Sequence, residues 1–196
     1  MGTWFPKFYD PLMKPLEKMG FDKVRKELIA KAEGRVLEVG SGTGANFRHY
    51  RKAVEVDATE PNPLMLKQSI KQAEKSYVPV VLYPAKAEEL PFPDKTFDTV
   101  TATLVFCTIP EPEKALQEIR RVCKQGAKIL LFEHVRMNGK LAGKTQDLLT
   151  PIWKKAFDGC HLNRNTLELV KRSGLIVLDV TSYSGGLFLV IECVNG

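Results

Sequence analysis

Three glycines two residues apart, Gly40, Gly42 and Gly44, follow an apolar run (Val36, Leu37, Val39) in the stretch R-V-L-E-V-G-S-G-T-G at 35–44. Glycine takes a positive φ at little cost and lets the backbone approach a ligand where a Cβ would collide. A buried strand that turns sharply here into a helix points free N–H groups at whatever occupies the bend. Glu60 lies twenty residues after Gly40, at the end of the next apolar run, placed to accept hydrogen bonds from the two hydroxyls of a ribose. Strand, glycine turn, helix and acid together make a nucleoside-type cofactor site on an open α/β sheet.

Side chains able to move protons gather farther along. His134 closes the apolar run K-I-L-L-F-E-H-V at 128–135. With an ordinary pKa of about 6.5, it can orient or deprotonate an acceptor there, or serve as a hydrogen-bonded structural histidine. Asp158, Cys160, His161 and Arg164 stand in D-G-C-H-L-N-R at 158–164. Asp158 or His161 suits a base and Arg164 an anion or charge-pair partner; a turn held by local hydrogen bonds is the plainer alternative. Cys107 ends the fourth apolar run and reads as strand packing. The four cysteines (Cys107, Cys123, Cys160, Cys193) contain no C-x-x-C pair, so their spacing suggests neither a disulfide framework nor a zinc site, and no metal is expected.

The elements that must position these residues follow from periodicity. Residues 4–31 carry apolar side chains at three- and four-residue spacing, as one or two amphipathic helices, with Pro11 and Pro15 breaking the first piece short. Residues 45–52 read as a short helix and Ala53 to Thr59 as the second strand. Asn62 caps a helix with Pro63 at its first position. Residues 78–83 make a third strand, Asp98 to Cys107 a fourth, and Lys128 to Val135 a fifth. Between the last two lies a helix burying Ala115, Leu116, Ile119 and Val122. The alternation predicts a parallel, doubly wound sheet with its crevice at the carboxyl ends of the strands. Residues 136–165 then form an excursion with a helix around 144–157, and Asn165 opens a helix ending near Ser173. Ile176 to Val180 and Leu187 to Val194, joined without a helix, should pair antiparallel as a hairpin. A single domain over 1–196 is expected, with 1–33 as a helical cover and 136–165 as a cap on the acceptor side.

At 196 residues the chain suits one sizeable core. The net charge of +6 concentrates in residues 1–35 and 111–172, which could favour an anionic substrate or lipid surface or simply be a solvated basic face. No nucleic-acid-reading motif accompanies it. No charged leader precedes an apolar run and no apolar stretch approaches about 18 residues, so a cytoplasmic location is expected, with at most peripheral membrane contact.

Taken together, the chain resembles the class I S-adenosylmethionine-dependent methyltransferases. The resemblance is carried by E-V-G-S-G-T-G at 38–44, E-P-N-P-L-M at 60–65, A-E-E-L-P-F-P-D-K-T-F-D at 87–98 and E-I-R-R-V-C-K-Q-G at 118–126. It implies a seven-stranded Rossmann-like sheet of order 3-2-1-4-5-7-6, last strand antiparallel, and S-adenosylmethionine as cofactor. Gly40, Gly42 and Gly44 would line its amino acid part, oriented by Glu38. Glu60 would take the ribose, Pro61 and Met65 would pack near the adenine, and Ala87, Glu88 and Leu104 would complete the site. Lys86 falls where relatives carry an Asp or Asn that accepts from the adenine amino group, which a lysine side chain cannot do. Within the family, F-E-H-V and D-G-C-H-L-N-R are most similar to a subgroup of thiol S-methyltransferases and phospholipid N-methyltransferases. The acceptor expected is therefore a thiol or an amine or phospholipid headgroup, with a quinone-like C- or O-acceptor, or a turnover-free cofactor-binding partner protein, as alternatives. Tyr9, Trp153 and Arg164 are the candidate acceptor-binding residues, with Phe5, Phe8 and Phe157 extending a lipophilic wall. Gly40-x-Gly42-x-x-Ala45 also satisfies a dinucleotide fingerprint; chain length, the terminal hairpin and the full set of segments favour the methyltransferase.

Overall fold

The computed structural model describes the backbone of residues 4–196 and all side chains from residue 9 onward except that of Lys140; Phe5 and Phe8 lie outside these described side chains. Seven strands form one sheet in the order β3-β2-β1-β4-β5-β7-β6. They are β1 (Glu33–Val39), β2 (Lys52–Thr59), β3 (Val80–Tyr83), β4 (Phe97–Thr103), β5 (Cys123–His134), β6 (Leu175–Tyr183) and β7 (Phe188–Asn195). The first five run parallel, whereas β7 pairs antiparallel with both β5 and β6. The strand order reverses beside β1, between β2 and β4, which opens the crevice at the carboxyl end of β1.

Helices cover both faces, so the central strands are apolar on both sides. On one face Leu37, Val39, Val100, Ile129 and Leu131 pack with Leu116 and Ile119 of α4 (Pro112–Val122). On the other, Val36, Val56, Leu130 and Phe132 pack with Leu28 and Ile29 of α2 (Asp22–Ile29) and with Phe47 and Tyr50. The predicted face of α4, Ala115, Leu116, Ile119 and Val122, is fully buried. Asn62 caps α3 (Pro63–Ala73) as expected, its Oδ1 accepting from the N–H groups of Leu64 and Met65.

Four local expectations are corrected. Residues 45–52 contain only a single 3₁₀ turn, Phe47–His49, because Phe47 and Tyr50 both turn inward and the chain enters β2 at Lys52. Helix α1 (Trp4–Leu16) runs through Pro11 and Pro15. The break comes later, where Glu17–Phe21 widens into a π-type turn and Gly20 takes φ +126°. Strand β4 ends at Thr103, not Cys107, because Leu104 adopts φ +56°. The excursion after β5 forms α5 (Lys140–Ala156), starting four residues before the expected helix, and α6 (Thr166–Arg172) follows.

Leu131→Ala, which opens a cavity at a fully buried position of β5, should lower unfolding free energy by roughly 2–5 kcal/mol in urea melts. Val54→Ala, at a position 74% exposed, should change it by less than about 0.5 kcal/mol.

Candidate active site

The glycine turn does what its sequence asks. Gly40, Gly42 and Gly44 have φ of +66°, +57° and +85°. A Cβ on Gly42 would meet nothing within 4 Å and would project into open space, whereas one on Gly44 would strike Phe47 at 2.7 Å. Gly42 therefore leaves room for a ligand, and Gly44 lets the turn pack on the core. A cavity of about 780 Å³ opens above the turn, lined by residues from Tyr9 and Leu12 on α1 to Phe188 on β7. That volume lies within the roughly 300–1,000 Å³ range of small-molecule sites.

Glu60 is 7% exposed and lines this cavity. One carboxylate oxygen accepts from Gly42 N–H at 3.0 Å and the other from Asn62 N–H at 2.8 Å. Burial raises its pKa, although both N–H groups oppose the shift. Each oxygen keeps a lone pair for a hydroxyl, so the acid can bind a ribose while it braces the turn. Pro61, Met65, Ala87, Glu88 and Leu104 line the same cavity, as does Lys86. Glu88 also accepts from Glu111 N–H at 3.3 Å.

Glu38 and Gly44 do not line the cavity. Glu38 lies beneath the turn, 1% exposed, accepting from Tyr50 Oη–H at 2.8 Å and Asn46 Nδ2–H at 3.0 Å. Burial pushes its pKa up to about 7 against those two hydrogen bonds. Asn46 does face the cavity, and its Oδ1 accepts from Arg25 at 3.1 Å. Arg25 is 3% exposed, also pairs with Glu17 at 3.0 Å, and lines the cavity. Sequence reading missed Arg25, although its place three and four residues before Leu28 and Ile29 puts it on the buried face of α2. Helix α1 is tied to the turn by Thr43, whose hydroxyl donates to Asp10 at 2.7 Å. Tyr9 is half-buried in the cavity wall, its phenol pushed up to about 12 by desolvation.

The other end is built around the left-handed Leu104. Glu133, a second acid missed at the sequence level, is fully buried and accepts from the N–H groups of Val105 at 2.9 Å and Phe106 at 3.1 Å. Burial pushes it to about 7. His134, Trp153, Phe157, Asp158 and Cys160 line this end, and the rings of Trp153 and Phe157 stack at 3.9 Å. Asp158 and Gly159 both take positive φ, which turns the chain back from α5. His161 and Arg164 are not among the lining residues. His161 N–H donates to Cys107 O at 2.8 Å, while the Arg164 guanidinium donates to the carbonyls of Phe106 and Ile109. Arg164 is thus a clamp on the loop after β4, outside the cavity lining.

His134 Nε2 lies 3.3 Å from Cys160 Sγ, and Cys107 closes the group. A hydrogen bond from Cys107, then those from His134 and Trp153, draws the Cys160 thiol down in spite of its burial. Burial alone would lower His134, but contact with Cys160 and the charge of Glu133 raise it on balance.

The profile of the methyltransferase domain matches residues 37–131, from the middle of β1 through most of β5. A thiol S-methyltransferase of Rattus norvegicus is 35% identical over 193 residues, covering 88% of this chain and 78% of that protein. The chain belongs to the class I S-adenosylmethionine-dependent methyltransferases. A phosphatidylethanolamine N-methyltransferase of Cereibacter sphaeroides is 39% identical over 112 residues, 56% of this chain and 55% of its own. A ubiquinone/menaquinone biosynthesis C-methyltransferase of Yersinia pestis is 32% identical over 89% of this chain and 68% of its own. Among solved structures, an S-adenosylmethionine-dependent methyltransferase from Aquifex aeolicus superposes with TM-score 0.72 at 20% identity, over 97% of this chain and 98% of that one. S-adenosylmethionine is the cofactor of this family.

Glu60→Ala should weaken S-adenosylmethionine binding by about 1.5–3 kcal/mol, roughly 10- to 150-fold in equilibrium dialysis, with unchanged far-UV circular dichroism. Glu38 has a folded pKa above its unfolded one, so its contribution to stability is complete below pH ~4.5 and lost as pH rises through about 7. Glu38→Gln removes that loss. The difference in unfolding free energy between variant and wild type should shift in the variant's favour by about 3 kcal/mol between pH 4.5 and 8.

Proposed function

We propose that this methyltransferase acts on a lipophilic thiol by direct in-line displacement. The observation that carries the reading is the aromatic and apolar wall of the acceptor end, where stacked Trp153 and Phe157 face a cavity also lined by Leu12, Met13, Leu162 and Phe188. When bound, S-adenosylmethionine supplies a methyl group already activated by its positive sulfur. The chain's own work is positional. The glycine turn and Glu60 hold the donor end, and the aromatic wall sheds water and sets a nucleophile roughly 3–3.5 Å from the methyl carbon.

A thiol fits this wall better than the alternatives in the same family. A thiol is a few per cent thiolate at neutral pH, whereas an aliphatic amine must first lose a proton to a base. A phospholipid headgroup also brings a phosphate that asks for a facing cation. Arg164 is spent on two carbonyls and Arg25 on Glu17, Asn46 and Thr103, while the remaining lining cation, Lys86, adjoins Ala87 and Glu88, where the family resemblance puts the adenine. The relative named as a thiol enzyme extends over 88% of the chain, the phospholipid one over 56%. Asp158 and His134 are the polar candidates for orienting or deprotonating the acceptor at this end. On α5, exposed Leu141, Leu148 and Ile152 stand beside Lys144, Lys154 and Lys155, which supports peripheral contact with an anionic lipid surface where lipophilic acceptors collect.

Incubation with methyl-labelled S-adenosylmethionine and panels of alkyl thiols, amines, phenols and phosphatidylethanolamine vesicles tests the reading. Label should pass to alkyl thiols and not to the vesicles. Transfer to phosphatidylethanolamine with none to thiols would reject it.

A further inference from the structure

Cys107, His134 and Cys160 are 27 and 26 residues apart in sequence and come from three different elements. Cys107 lies in the loop after β4, His134 is the last residue of β5, and Cys160 follows α5. Their ligating atoms all lie within 4.8 Å of one another, and all three residues line the acceptor end of the cavity. We propose that these three side chains bind one zinc ion whose fourth coordination position faces the cavity and takes the acceptor thiol as its thiolate. This rests on the thiol reading above.

The geometry is close to what zinc requires. With Zn–S near 2.3 Å and Zn–N near 2.0–2.1 Å, tetrahedral ligand atoms stand roughly 3.5–3.8 Å apart. His134 Nε2 and Cys160 Sγ are already 3.3 Å apart, so only small side-chain rotations are needed to close the set. The backbone that carries the ligands is fixed. Cys107 O accepts from His161 N–H, Cys160 N–H donates to Phe157 O, and Arg164 holds the carbonyls of Phe106 and Ile109. Two sulfurs and an imidazole select a borderline-soft ion such as zinc over magnesium or calcium. Three protein ligands with an open position are the arrangement of catalytic zinc sites.

His134 Nδ1 is buried with no hydrogen-bond partner among the described residues, so Nε2, 3.3 Å from Cys160 Sγ, is the ligating nitrogen. The ring is placed by Cys160 and by the edge of Phe188, at a centroid distance of 6.5 Å.

Charge also favours the arrangement. Two cysteine thiolates neutralise the ion, so a third thiolate gives the site one net negative charge opposite the sulfonium's positive one. On binding, the acceptor thiol releases its proton to solvent. Its sulfur lone pair forms the new S–CH₃ bond while the pair of the sulfonium–methyl bond returns to the donor sulfur, leaving S-adenosylhomocysteine. The product is a neutral thioether, a poor zinc ligand, and water replaces it.

The full chain, stripped with a chelator and then titrated with zinc, should bind one equivalent. Cobalt(II) in its place should give thiolate charge-transfer and tetrahedral d–d bands. Cys160→Ser and Cys107→Ser should each weaken zinc binding by roughly 100-fold or more and abolish the charge-transfer change. In wild type, zinc should slow the reaction of two thiols with a disulfide reagent, a readout that needs no variant to fold. Methylation of alkyl thiols should fall on chelation and return with zinc, while S-adenosylmethionine binding stays constant. Substoichiometric zinc binding, a Cys107–Cys160 disulfide in its place, or a thiol methylation rate indifferent to chelation would overturn the zinc proposal and leave the thiol reading standing. Stoichiometric zinc with methyl transfer only to another acceptor class would instead overturn the thiol reading, and the metal's role in binding the acceptor with it.

Discussion

A chain of buried polar side chains beneath the glycine turn sets the geometry of everything above it. Arg25 on α2 donates to Asn46 and Thr103, Asn46 donates to Glu38 and Thr103, and Tyr50 joins Glu38 to Thr101. These contacts link a cover helix, the turn, β1 and β4 through groups almost entirely removed from water. Removing one member strands its neighbours as unsatisfied buried groups, which costs about 1–3 kcal/mol each. The network is therefore satisfied as a whole, and it locates the turn more narrowly than apolar packing alone would.

Above that foundation the two ends of the cavity obey one rule. At one end, Glu60 captures the N–H groups of Gly42 and Asn62; at the other, Glu133 captures those of Val105 and Phe106. In each case a carboxylate near the end of a strand braces a bend that the strand itself cannot stabilise. The difference lies in exposure to the cavity. Glu60 lines it and keeps lone pairs to offer, whereas Glu133 is sealed behind the loop, where it shapes the space without entering it.

Most of the local geometry around the glycine turn was legible in the sequence because its signals are local. Glycine spacing, the Asn62-Pro63 cap and the period of α4 each reflect interactions between residues a few positions apart. The sheet order came from the family resemblance, supported by the helix-free link between β6 and β7. The network around Arg25 and the grouping of Cys107, His134 and Cys160 are pairings across tens of residues, which periodicity cannot express. Arg164 was read as an acceptor-facing charge for a related reason. Its motif places it in the cap, but only the tertiary path of the loop at 106–109 turns it onto carbonyls. Leu104 misled the reading of β4 because nothing in a leucine announces a left-handed backbone.

The elbow at Gly20 has a mechanical corollary. Helix α1 joins the body through a left-handed glycine around which even an added methyl would meet no neighbour within 4 Å, and a hydroxyl from Thr43 latches it to the turn. Among the described residues, the rim of the cavity is thus fastened by a joint and a latch set apart from the hydrophobic interior that holds the sheet, so a change at either can alter the rim while the sheet's packing stays as it is.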